Sequence, residues 1–402
     1  MRILFLHNNF PAQFGQLGQY LSQCGWEVYF GTHRDGAKLD GIKTFQFKPH
    51  REVSEKTHHY AASFEKAVIN GQGFARTAVG LSETGFAPDI VVAHSGWGPG
   101  LFVKDLWPDA VFIGYFEWYY QSNGIDTNFL GKAPQSLDEK LRARARNAAI
   151  LTDLASCDLG IVPTQFQKDR FPDCFDEKLS VIHDGIDTDR YVGKENTDLA
   201  LPGLELSSGT EIVTYVARGM EPYRGFPQFM ESISILLKQR PQTHVVIVGE
   251  DRVAYGRTLP DGDSYKKRAL EAHAVDLSRV HFTGLLSREN YLNVLQASTV
   301  HVYLTIPFVL SWSLMEAMSA QCALLVSDTP PVREMLDENT AVFVPFFDPN
   351  ETARQLNDLL ADPARREEIG RAARNKIVKD YAMKDLLPRK KAMLEALVSA
   401  QA

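Results

Sequence analysis

Residues 211–225 read EIVTYVARGMEPYRG, and this stretch decides the fold class. A short apolar run rich in β-branched residues leads through a loop with two arginines, each followed by glycine, into the start of a helix. In the residues before it, 188–211, the stretches Gly193–Asn196 and Leu201–Gly209 break all periodicity, which is typical of a seam between domains. We therefore expect a second domain to begin with a new strand at Glu211.

Similar apolar runs recur along the whole chain, separated by amphipathic stretches of helix length. Those of the first half are Ile3–His7, Glu27–Gly31, Asp89–His94, Ala110–Phe116, Leu159–Pro163 and Leu179–His183. Those of the second half are Ile212–Ala217, Thr243–Gly249, Val280–Thr283, Val300–Leu304, Ala323–Ser327 and Ala341–Val344. Apolar strands that alternate with helices predict parallel sheets covered on both faces. The sequence thus predicts an α/β protein of two doubly wound, Rossmann-like domains with six strands each.

The predicted domain boundaries follow from the seam. We expect an N-terminal Rossmann-like domain over 1–195, a linker over 196–210 and a C-terminal Rossmann-like domain over 211–385. A last helix over 386–402 can pack back on the N-terminal domain. Ligands of such sheets bind at the carboxyl ends of the strands, so the chemistry is expected in a cleft between the domains.

Composition excludes several function classes. The 402 residues carry 43 Lys and Arg against 50 Asp and Glu, a formal charge of −7, so a nucleic-acid partner is not expected. No run approaches the roughly 20 apolar residues of a membrane helix, and the apolar start is too short for a signal peptide, which predicts a cytoplasmic protein. The four cysteines lack the paired spacing of a disulfide framework or a zinc site.

One basic stretch, Lys140–Arg146, alternates with Ala and Leu. We interpret it as the solvated face of a helix. Peripheral contact with an anionic membrane at its inner face is the alternative that this pattern leaves open.

Several residues at predicted strand ends could carry chemistry. Arg218 and Arg224 at a helix start form an anion clamp, which favours a phosphate ligand over a solvated charge pair. Gly15 ends the first strand-to-helix turn, where a small residue lets backbone N–H groups approach an anion, although taken alone this segment is better explained by a plain tight turn. His94 can donate to a ligand hydroxyl or serve as a structural hydrogen-bond partner.

Two further segments combine aromatic rings with carboxylates. Glu117, Trp118, Tyr119 and Tyr120 suit stacking on a sugar acceptor, and a loop packed by its own rings is the alternative. Residues 307–320 are interpreted as a strand, a turn and a short buried helix with Glu316 inside it. A buried carboxylate needs hydrogen-bond donors, which ribose hydroxyls or a structural ion pair would supply.

Taken together these residues resemble the retaining nucleotide-sugar glycosyltransferases of family 4, which have the GT-B fold. The resemblance covers nearly the whole chain. In the first half it rests on the loop ending at Gly15, His94, Pro163-Thr164 and Ser180–Asp187. In the second half it rests on Arg218 with Arg224-Gly225, Val248–Glu250, His281–Gly284 and Leu314–Met318.

The resemblance implies that the domain over 1–195 is the acceptor-side domain and that the domain over 211–385 binds the nucleotide sugar. It also implies roles for the predicted residues. The sugar donor, a nucleoside-diphosphate sugar, would place its diphosphate against Gly15, Arg218 and Arg224. Gly249 belongs to a nucleotide-side loop, Phe282 and Leu285 would flank the base, and Glu316 would hold the ribose. Backbone amides of Val309, Leu310 and Ser311 would contact the transferred sugar, and His94 one of its hydroxyls. The expected catalytic residues are His94, Arg218, Arg224 and Glu316.

One departure from the family pattern bears on the mechanism. The first glutamate of the family's E-x₇-E motif should stand eight residues before Glu316, and Phe308 is there. Without a carboxylate nucleophile, front-face transfer of a hexosyl unit to a saccharide or lipid-linked saccharide, as in polysaccharide biosynthesis, fits better than double displacement. No cofactor and no metal are expected, because the arginines would neutralise the diphosphate. A sugar-nucleotide epimerase and a non-catalytic sugar-nucleotide-binding subunit are the alternatives.

Overall fold

The computed structural model describes residues 1–131, 135–194 and 197–401, and these fall into two compact units. The first unit is Met1–Asp184 with the chain from Lys384 onward, and the second is Gly185–Met383. Residues 185–194, predicted at the end of the first domain, thus lie in the second unit. Glu195 and Asn196, where that domain was predicted to end and the linker to begin, lie outside the described residues, as do 132–134 and the last residue of the predicted final helix.

The first unit is built on a parallel sheet of seven strands in the order β3-β2-β1-β4-β5-β6-β7. These are β1 (Arg2–Leu6), β2 (Glu27–Thr32), β3 (Ile42–Gln46), β4 (Ile90–His94), β5 (Val111–Tyr115), β6 (Leu159–Val162) and β7 (Leu179–Val181). The prediction of six strands was wrong by one, because β3 is a half-buried edge strand and lacks the continuous apolar run of the others.

The helices of the first unit cover both faces of this sheet. They are α1 (Gly15–Gln23), α2 (Ala62–Glu83), α3 (Val103–Leu106), α4 (Ile125–Leu130), α5 (Leu137–Arg146), α6 (Ala148–Ser156) and α7 (Gln165–Lys168). Successive residues of β1 show the two-sided burial: Leu4 and Leu6 pack into one apolar cluster, while Ile3 and Phe5 pack into another. This is why the strand is apolar at every position from Ile3 to Leu6.

The second unit begins with a two-stranded hairpin and continues with a parallel sheet of six strands in the order β12-β11-β10-β13-β14-β15. Its strands are β8 (Leu199–Leu201), β9 (Leu204–Leu206), β10 (Ile212–Gly219), β11 (His244–Glu250), β12 (Val280–Gly284), β13 (Val300–Tyr303), β14 (Leu324–Ser327) and β15 (Val342–Val344). The hairpin occupies part of the predicted linker. Its leucines Leu199, Leu201 and Leu206 pack against Ile212 and Val246, so this segment belongs to the fold of the second unit.

The remaining helices follow in chain order. They are α8 (Phe226–Gln239), α9 (Tyr265–Ala272), α10 (Arg288–Gln296), α11 (Trp312–Ser319), α12 (Pro330–Met335), α13 (Pro349–Ala361), α14 (Pro363–Tyr381) and α15 (Met383–Gln401). From Lys384 onward α15 belongs to the first unit, where Leu394 is buried in the same cluster as Ile3 and Phe5. Within the described ranges no helix is long and apolar enough to cross a membrane. The two doubly wound sheets confirm the predicted fold class.

Candidate active site

Both sheets have a topological switch point, where neighbouring strands send their connections in opposite directions. In the first sheet it lies between β1 and β4, and in the second between β10 and β13. Ligands of open α/β sheets bind outside the carboxyl ends of the strands at such a point. The arginine loop follows β10 and residues 304–311 follow β13, so the second switch point brings together the two segments that the sequence singled out.

The arginine loop presents one exposed and one buried guanidinium. Arg218 is exposed near the end of β10 and has no ion pair with a described residue. Arg224 ends a short 3₁₀ turn, and Gly225 after it has the left-handed φ of +64° from which α8 starts. A Cβ atom on Gly225 would lie 2.5 Å from the Cβ of Leu304, so the loop packs closely against the chain after β13.

The Arg224 side chain is 6% exposed and is held by hydroxyl groups. Its Nη1 donates to Thr305 Oγ1 at 2.8 Å and to the Tyr303 hydroxyl at 3.3 Å. No carboxylate forms an ion pair with it among the described residues, although its charge opposes the rise in the pKa of nearby Glu221. A buried cation without a negative partner is costly, so this position is suited to an anionic ligand.

Glu221 lies between the two arginines and was not predicted. Its side chain is completely buried, and Oε2 accepts from the backbone N–H groups of Ala254 and, at 2.7 Å, Tyr255. Its Oε1 has no partner within the described part of the chain. Burial raises the pKa of this carboxyl, and the two backbone donors and Arg224 oppose the rise. Glu221 therefore fixes the loop after β11 to the arginine loop.

Glu316 lies on α11 and receives hydrogen bonds from tyrosines. The hydroxyl of Tyr291 donates to its Oε2 at 2.7 Å, and Tyr191 makes a second hydrogen bond to the carboxylate. Burial raises the pKa of Glu316, and these hydrogen bonds oppose the rise. The sequence suggested ribose hydroxyls or a structural ion pair as the partners of this carboxylate, and in the structure two tyrosine hydroxyls donate to it. A contact with ribose stays a prediction.

The segment before α11 is a loop, since β13 ends at Tyr303 and the strand predicted at 307 is not formed. The Phe308 ring packs edge-on against Tyr223 and Tyr255, with centroids 5.1 and 5.2 Å apart. Ser311 caps α11, and its backbone N–H donates to the Tyr303 hydroxyl at 2.9 Å. Tyr303 thereby links Arg224 to this turn. Val309 and Leu310 lie in the same loop and are partly buried.

The other predicted second-unit residues lie at the ends of β11 and β12, beside β10. Gly249 has φ of +136°, and a Cβ there would lie 1.9 Å from the carbonyl oxygen of Ala217, so only glycine fits. Phe282 is partly buried, with Lys266 Nζ 4.2 Å from its ring centroid. Leu285 is 67% exposed just beyond β12. Their roles toward a nucleotide stay predictions.

The first switch point is occupied by imidazoles. His94, at the end of β4, is 5% exposed, and its Nε2 lies 3.3 Å from Glu117 Oε2. His7, directly after β1, stacks edge-on against His94 with centroids 4.7 Å apart. Its Nδ1 accepts from the N–H of Asn9, and burial together with His94 lowers the pKa of His7 to about 3. His7 was missed, and its place directly after the first strand was the available signal.

Asp153 of α6 fixes the turn that follows His94, and it was also missed. Its Oδ2 accepts from Ser95 Oγ at 2.7 Å and from the N–H of Gly96 at 3.2 Å. Its Oδ1 is buried without a partner among the described residues. Burial raises the pKa of this carboxyl to about 7. The turn after β4 is thus held by a group that ionises near neutral pH.

Two predicted first-unit sites are explained by packing. Gly15 is the first residue of α1, and a Cβ there would lie 2.8 Å from Pro11 Cβ, which favours the tight-turn interpretation. Trp118 is 8% exposed and lies 6.1 Å from the Phe166 ring. Tyr119 lies 5.5 Å from Phe171, and the Arg146 guanidinium lies 3.7 Å above Tyr120. Packing, the alternative that the sequence left open, accounts for the buried Trp118, while Glu117, Tyr119 and Tyr120 are half-buried, and contact of these residues with an acceptor stays a prediction.

Comparisons with known proteins cover nearly the whole chain. A family model described as the glycosyl transferase family 4 group matches residues 24–191, and one described as glycosyl transferases group 1 matches residues 201–376. A search of curated proteins gives no significant match.

Solved structures with the same fold include three that span essentially the full length. Sucrose-phosphate synthase from Thermosynechococcus elongatus is 18% identical, with a TM-score of 0.73 over 100% of both chains. A glycosyltransferase from Rickettsia africae is 15% identical, with a TM-score of 0.67 over 99% of this chain and 98% of that one. The Anabaena protein Alr3699/HepE in complex with UDP-glucose is 15% identical, with a TM-score of 0.67 over 98% and 100%.

Proposed function

Because the chain belongs to the glycosyltransferases of family 4 and group 1, with the GT-B fold, we propose that it transfers a hexosyl unit from a nucleoside-diphosphate sugar with retention of configuration. The proposed acceptor is a saccharide or a lipid-linked saccharide. The complex of the Anabaena structural relative with UDP-glucose supports a sugar donor of this type.

The buried Arg224 is the observation that carries the proposal. The Arg224 side chain is 6% exposed, its guanidinium donates to two hydroxyl groups and lies 5.4 Å from the centre of the Tyr255 ring, while Arg218 is exposed on the strand that leads into the same loop. Hydroxyl groups do not neutralise a buried positive charge, whereas a diphosphate would. The N-terminus of α8 adds the positive end of the helix dipole.

This arrangement stabilises charge that develops during the reaction. Breaking the bond between the anomeric carbon and the diphosphate leaves negative charge on the phosphate oxygens. Arg224 is already held in position by Thr305 and Tyr303, so little reorganisation is needed when that charge forms. Groups fixed in this way stabilise the transition state more than the ground state.

Front-face attack accounts best for the residue at position 308. Phe308 packs among Tyr223 and Tyr255 and offers no carboxylate that could attack the anomeric carbon. In front-face transfer the leaving phosphate oxygen takes the proton of the acceptor hydroxyl, so no protein base is required. We propose that the two arginines perform the charge neutralisation that a divalent metal performs elsewhere.

A non-catalytic sugar-nucleotide-binding subunit is the second candidate function, and the aromatic surroundings of Phe308 are the observation that favours it. A sugar-nucleotide epimerase would need carboxylates beside the sugar for acid and base steps. Phe308 stands where one of them is expected, and this argues against that alternative.

Contact with an anionic membrane through α5 is part of the proposal for a lipid-linked acceptor. Leu137 and Leu141, one turn apart, are 72% and 44% exposed, and no residue of α5 is buried. Lys140 and Arg144 flank them without an ion pair to any described residue. Exposed leucines between cations fit an anionic bilayer surface. Reversing both charges should abolish binding to anionic liposomes and leave turnover in solution unchanged.

A donor screen followed by product analysis tests the function. Melting temperatures are measured with UDP, GDP, ADP and dTDP sugars, because a ligand of the native state raises the melting temperature according to its affinity. The stabilising sugar donor is then supplied in labelled form with saccharide acceptors. Transfer with retained anomeric configuration supports the proposal. Epimerised or unchanged sugar donor would instead identify one of the two alternatives.

Two further measurements test the mechanism. Turnover should survive EDTA, and activity that is lost with EDTA and restored by a divalent metal would contradict the arginine-based mechanism. Mass spectrometry of the enzyme quenched during turnover should find no covalent glycosyl adduct. A trapped adduct would contradict front-face attack.

A further inference from the structure

The loop that follows β11 lies directly against the arginine loop. A Cβ atom on Gly219 would lie 2.5 Å from the carbonyl oxygen of Arg252 and 3.1 Å from the backbone nitrogen of Ala254. The backbone N–H of Met220 donates to the carbonyl oxygen of Glu250 at 3.1 Å. The two loops are therefore packed backbone to backbone at the carboxyl edge of the second sheet, and a shift of one loop would displace the other.

The carboxylate of Glu221 links the two loops through a side chain. Glu221 is completely buried, and its Oε2 accepts from the backbone N–H groups of Ala254 and Tyr255. Arg252 on the same loop is paired with Glu250 at 2.7 Å, and within the described residues Glu221 forms no ion pair. A buried carboxylate that accepts two backbone hydrogen bonds anchors the loop that supplies them.

The anchored loop places an aromatic ring over the buried Arg224. The guanidinium carbon lies 5.4 Å from the centre of the Tyr255 ring, within the distance of about 6 Å at which a ring attracts a cation. The Tyr255 ring is itself packed against Phe308, with centroids 5.2 Å apart. Both hydrogen bonds from Arg224 to hydroxyl groups use Nη1. The ring and these hydroxyl groups together fix the orientation of the guanidinium.

A guanidinium fixed beside an aromatic ring suits an anionic ligand better than a mobile one. The ring keeps water from part of the guanidinium, and opposite charges attract more strongly where water is excluded. A group that is already oriented also loses little freedom when the ligand arrives. Glu221 can therefore influence the anion site without contacting the anion.

We infer that Glu221 is a positioning residue: through the backbone N–H groups of Ala254 and Tyr255 it holds the Tyr255 ring over Arg224, and so keeps that guanidinium oriented for a diphosphate. The inference rests on the proposed function, because the anion in question is the diphosphate of the sugar donor. It gives this carboxylate the role of a hydrogen-bond acceptor and not that of a counter-charge to the arginines.

Two substitutions of Glu221 separate these two roles. Glu221→Gln and Glu221→Met both remove the negative charge at similar side-chain size, but only Gln keeps an oxygen that can accept from the two N–H groups. The probe is inorganic pyrophosphate, titrated calorimetrically into the 402-residue protein. We expect Glu221→Met to weaken its binding about tenfold. Glu221→Gln should bind it at least as tightly as the wild type, because a nearby negative charge is gone.

Hydrogen exchange and kinetics of the same variants show whether the effect passes through the loop. The backbone amides of Ala254 and Tyr255 should exchange faster in Glu221→Met than in the wild type, and should stay slow in Glu221→Gln. With a sugar donor, kcat should fall about tenfold in Glu221→Met, because the charge on the diphosphate grows in the transition state. Glu221→Gln should restore most of this loss, which a defect caused by the missing charge would not allow.

Two substitutions of Tyr255 test the same link while the anchor stays in place, and they decide the matter if Glu221→Met does not fold. Tyr255→Leu removes the ring and should weaken pyrophosphate binding about fivefold. Tyr255→Phe keeps the ring and should recover most of that loss. Melting temperatures show whether each variant is folded.

The matched control is Asp337→Ala. The carboxylate of Asp337 also accepts from two backbone N–H groups, those of Asn339 and Thr340. It lies before β15, at the amino edge of the same sheet. Asp337→Ala therefore removes an anchor of the same kind at the opposite edge, and it should leave pyrophosphate binding unchanged.

Four results would overturn the inference. The first is the absence of pyrophosphate binding by the wild type, and the second is binding by Glu221→Met that is as tight as in the wild type. The third is equal weakening in Glu221→Gln and Glu221→Met, which would mean that the charge matters and not the acceptor. The fourth is unchanged binding in Tyr255→Leu.

Turnover assays of the same samples separate this inference from the proposed function. If pyrophosphate binding follows the expected pattern while the wild type turns over no nucleotide sugar, the proposed function fails and Glu221 stands as the positioning residue of an anion site. If the wild type transfers sugar while Glu221→Met binds pyrophosphate as tightly as the wild type, the inference fails and the function stands.

Discussion

The two switch points have the same strand order and different chemistry. At the first, β1 and β4 end in His7 and His94, two buried imidazoles beside Glu117. At the second, β10 and β13 lead to Arg218 and Arg224, of which Arg224 is buried against hydroxyl groups. Strand order fixes where a ligand can bind, and the loop residues fix which ligand. Under the proposed function, the second unit would stabilise phosphate charge and the first would supply hydrogen bonds to the sugar.

Removing the exposed arginine should have the largest effect. Arg218→Gln keeps hydrogen-bonding capacity but removes the positive charge, and we expect kcat to fall by on the order of 10²–10³, as on loss of other transition-state charge stabilisers. Steady-state kinetics with the sugar donor found in the thermal screen measures this fall in kcat. Arg354→Gln is the matched control, because Arg354 is an exposed arginine of α13 paired with Glu351 and Asp358. Wild-type turnover in Arg218→Gln would remove the basis for assigning charge stabilisation to the second switch point.

Asp153 should make the first unit sensitive to pH. Its pKa of about 7 lies above the usual 3.8, so from about pH 4 to 7 the native state keeps a proton that the unfolded state has released. The free energy of unfolding contributed by this group therefore falls as pH rises, by about 2 kcal/mol between pH 5 and 7. Buried histidines with a lowered pKa, such as His7, have the opposite effect: their contribution to the free energy of unfolding rises as pH rises.

The comparison of wild type with Asp153→Asn isolates that contribution. Denaturant unfolding at a series of pH values should show that the difference in unfolding free energy, variant minus wild type, grows by this amount between pH 5 and 7. Asp358→Asn, at an exposed position on α13, should show no such change. Parallel curves for Asp153→Asn and wild type would mean that Asp153 is ionised throughout this range.

The elements that the sequence predicted best are those buried on both faces. β1, β4 and β10 consist mainly of consecutive apolar residues. This pattern alone showed where each strand ends, and therefore which residues lie at its carboxyl end. β3 and the hairpin β8–β9 lack such runs, because an edge strand and a three-residue strand bury only part of their side chains. The burial pattern of a strand, and not its strand propensity alone, therefore decided whether the sequence predicted it.

Features of the candidate site were missed from the sequence for a different reason. The tyrosines that contact Glu316 are Tyr191 and Tyr291, and no local spacing connects either of them to it. The rings of Trp118 and Tyr119 have the same sequence pattern whether they pack inside a loop or stack on a sugar, and only burial distinguishes the two. The unsatisfied oxygens of Glu221 and Asp153 have no sequence pattern at all, because whether a buried atom finds a partner depends on what surrounds it.

The buried arginine should reveal a conflict between stability and function. Arg224→Met keeps most of the side-chain volume and removes an unpaired buried charge, so we expect the ligand-free protein to gain about 1–2 kcal/mol in unfolding free energy while it loses activity. Denaturant unfolding without ligand measures the gain. A loss of stability instead would mean that the hydrogen bonds to Thr305 and Tyr303 outweigh the burial of the charge.

The smallest expected effect is at His94, where one uncharged hydrogen bond to a sugar hydroxyl is at stake. Removal of such a bond costs about 0.5–1.5 kcal/mol, so His94→Ala should lower turnover by up to about tenfold, well below the effect of Arg218→Gln. His94→Gln should recover part of the lost turnover, because its amide can still donate a hydrogen bond. A merely structural defect would also lower the melting temperature of the variant.

Glu117→Gln removes the carboxylate 3.3 Å from His94 Nε2 and should have a smaller effect on turnover, by loosening the orientation of the imidazole. If His94→Ala lost as much activity as Arg218→Gln, the first switch point would take part in charge stabilisation too, and the division of chemistry between the two sheets would be wrong.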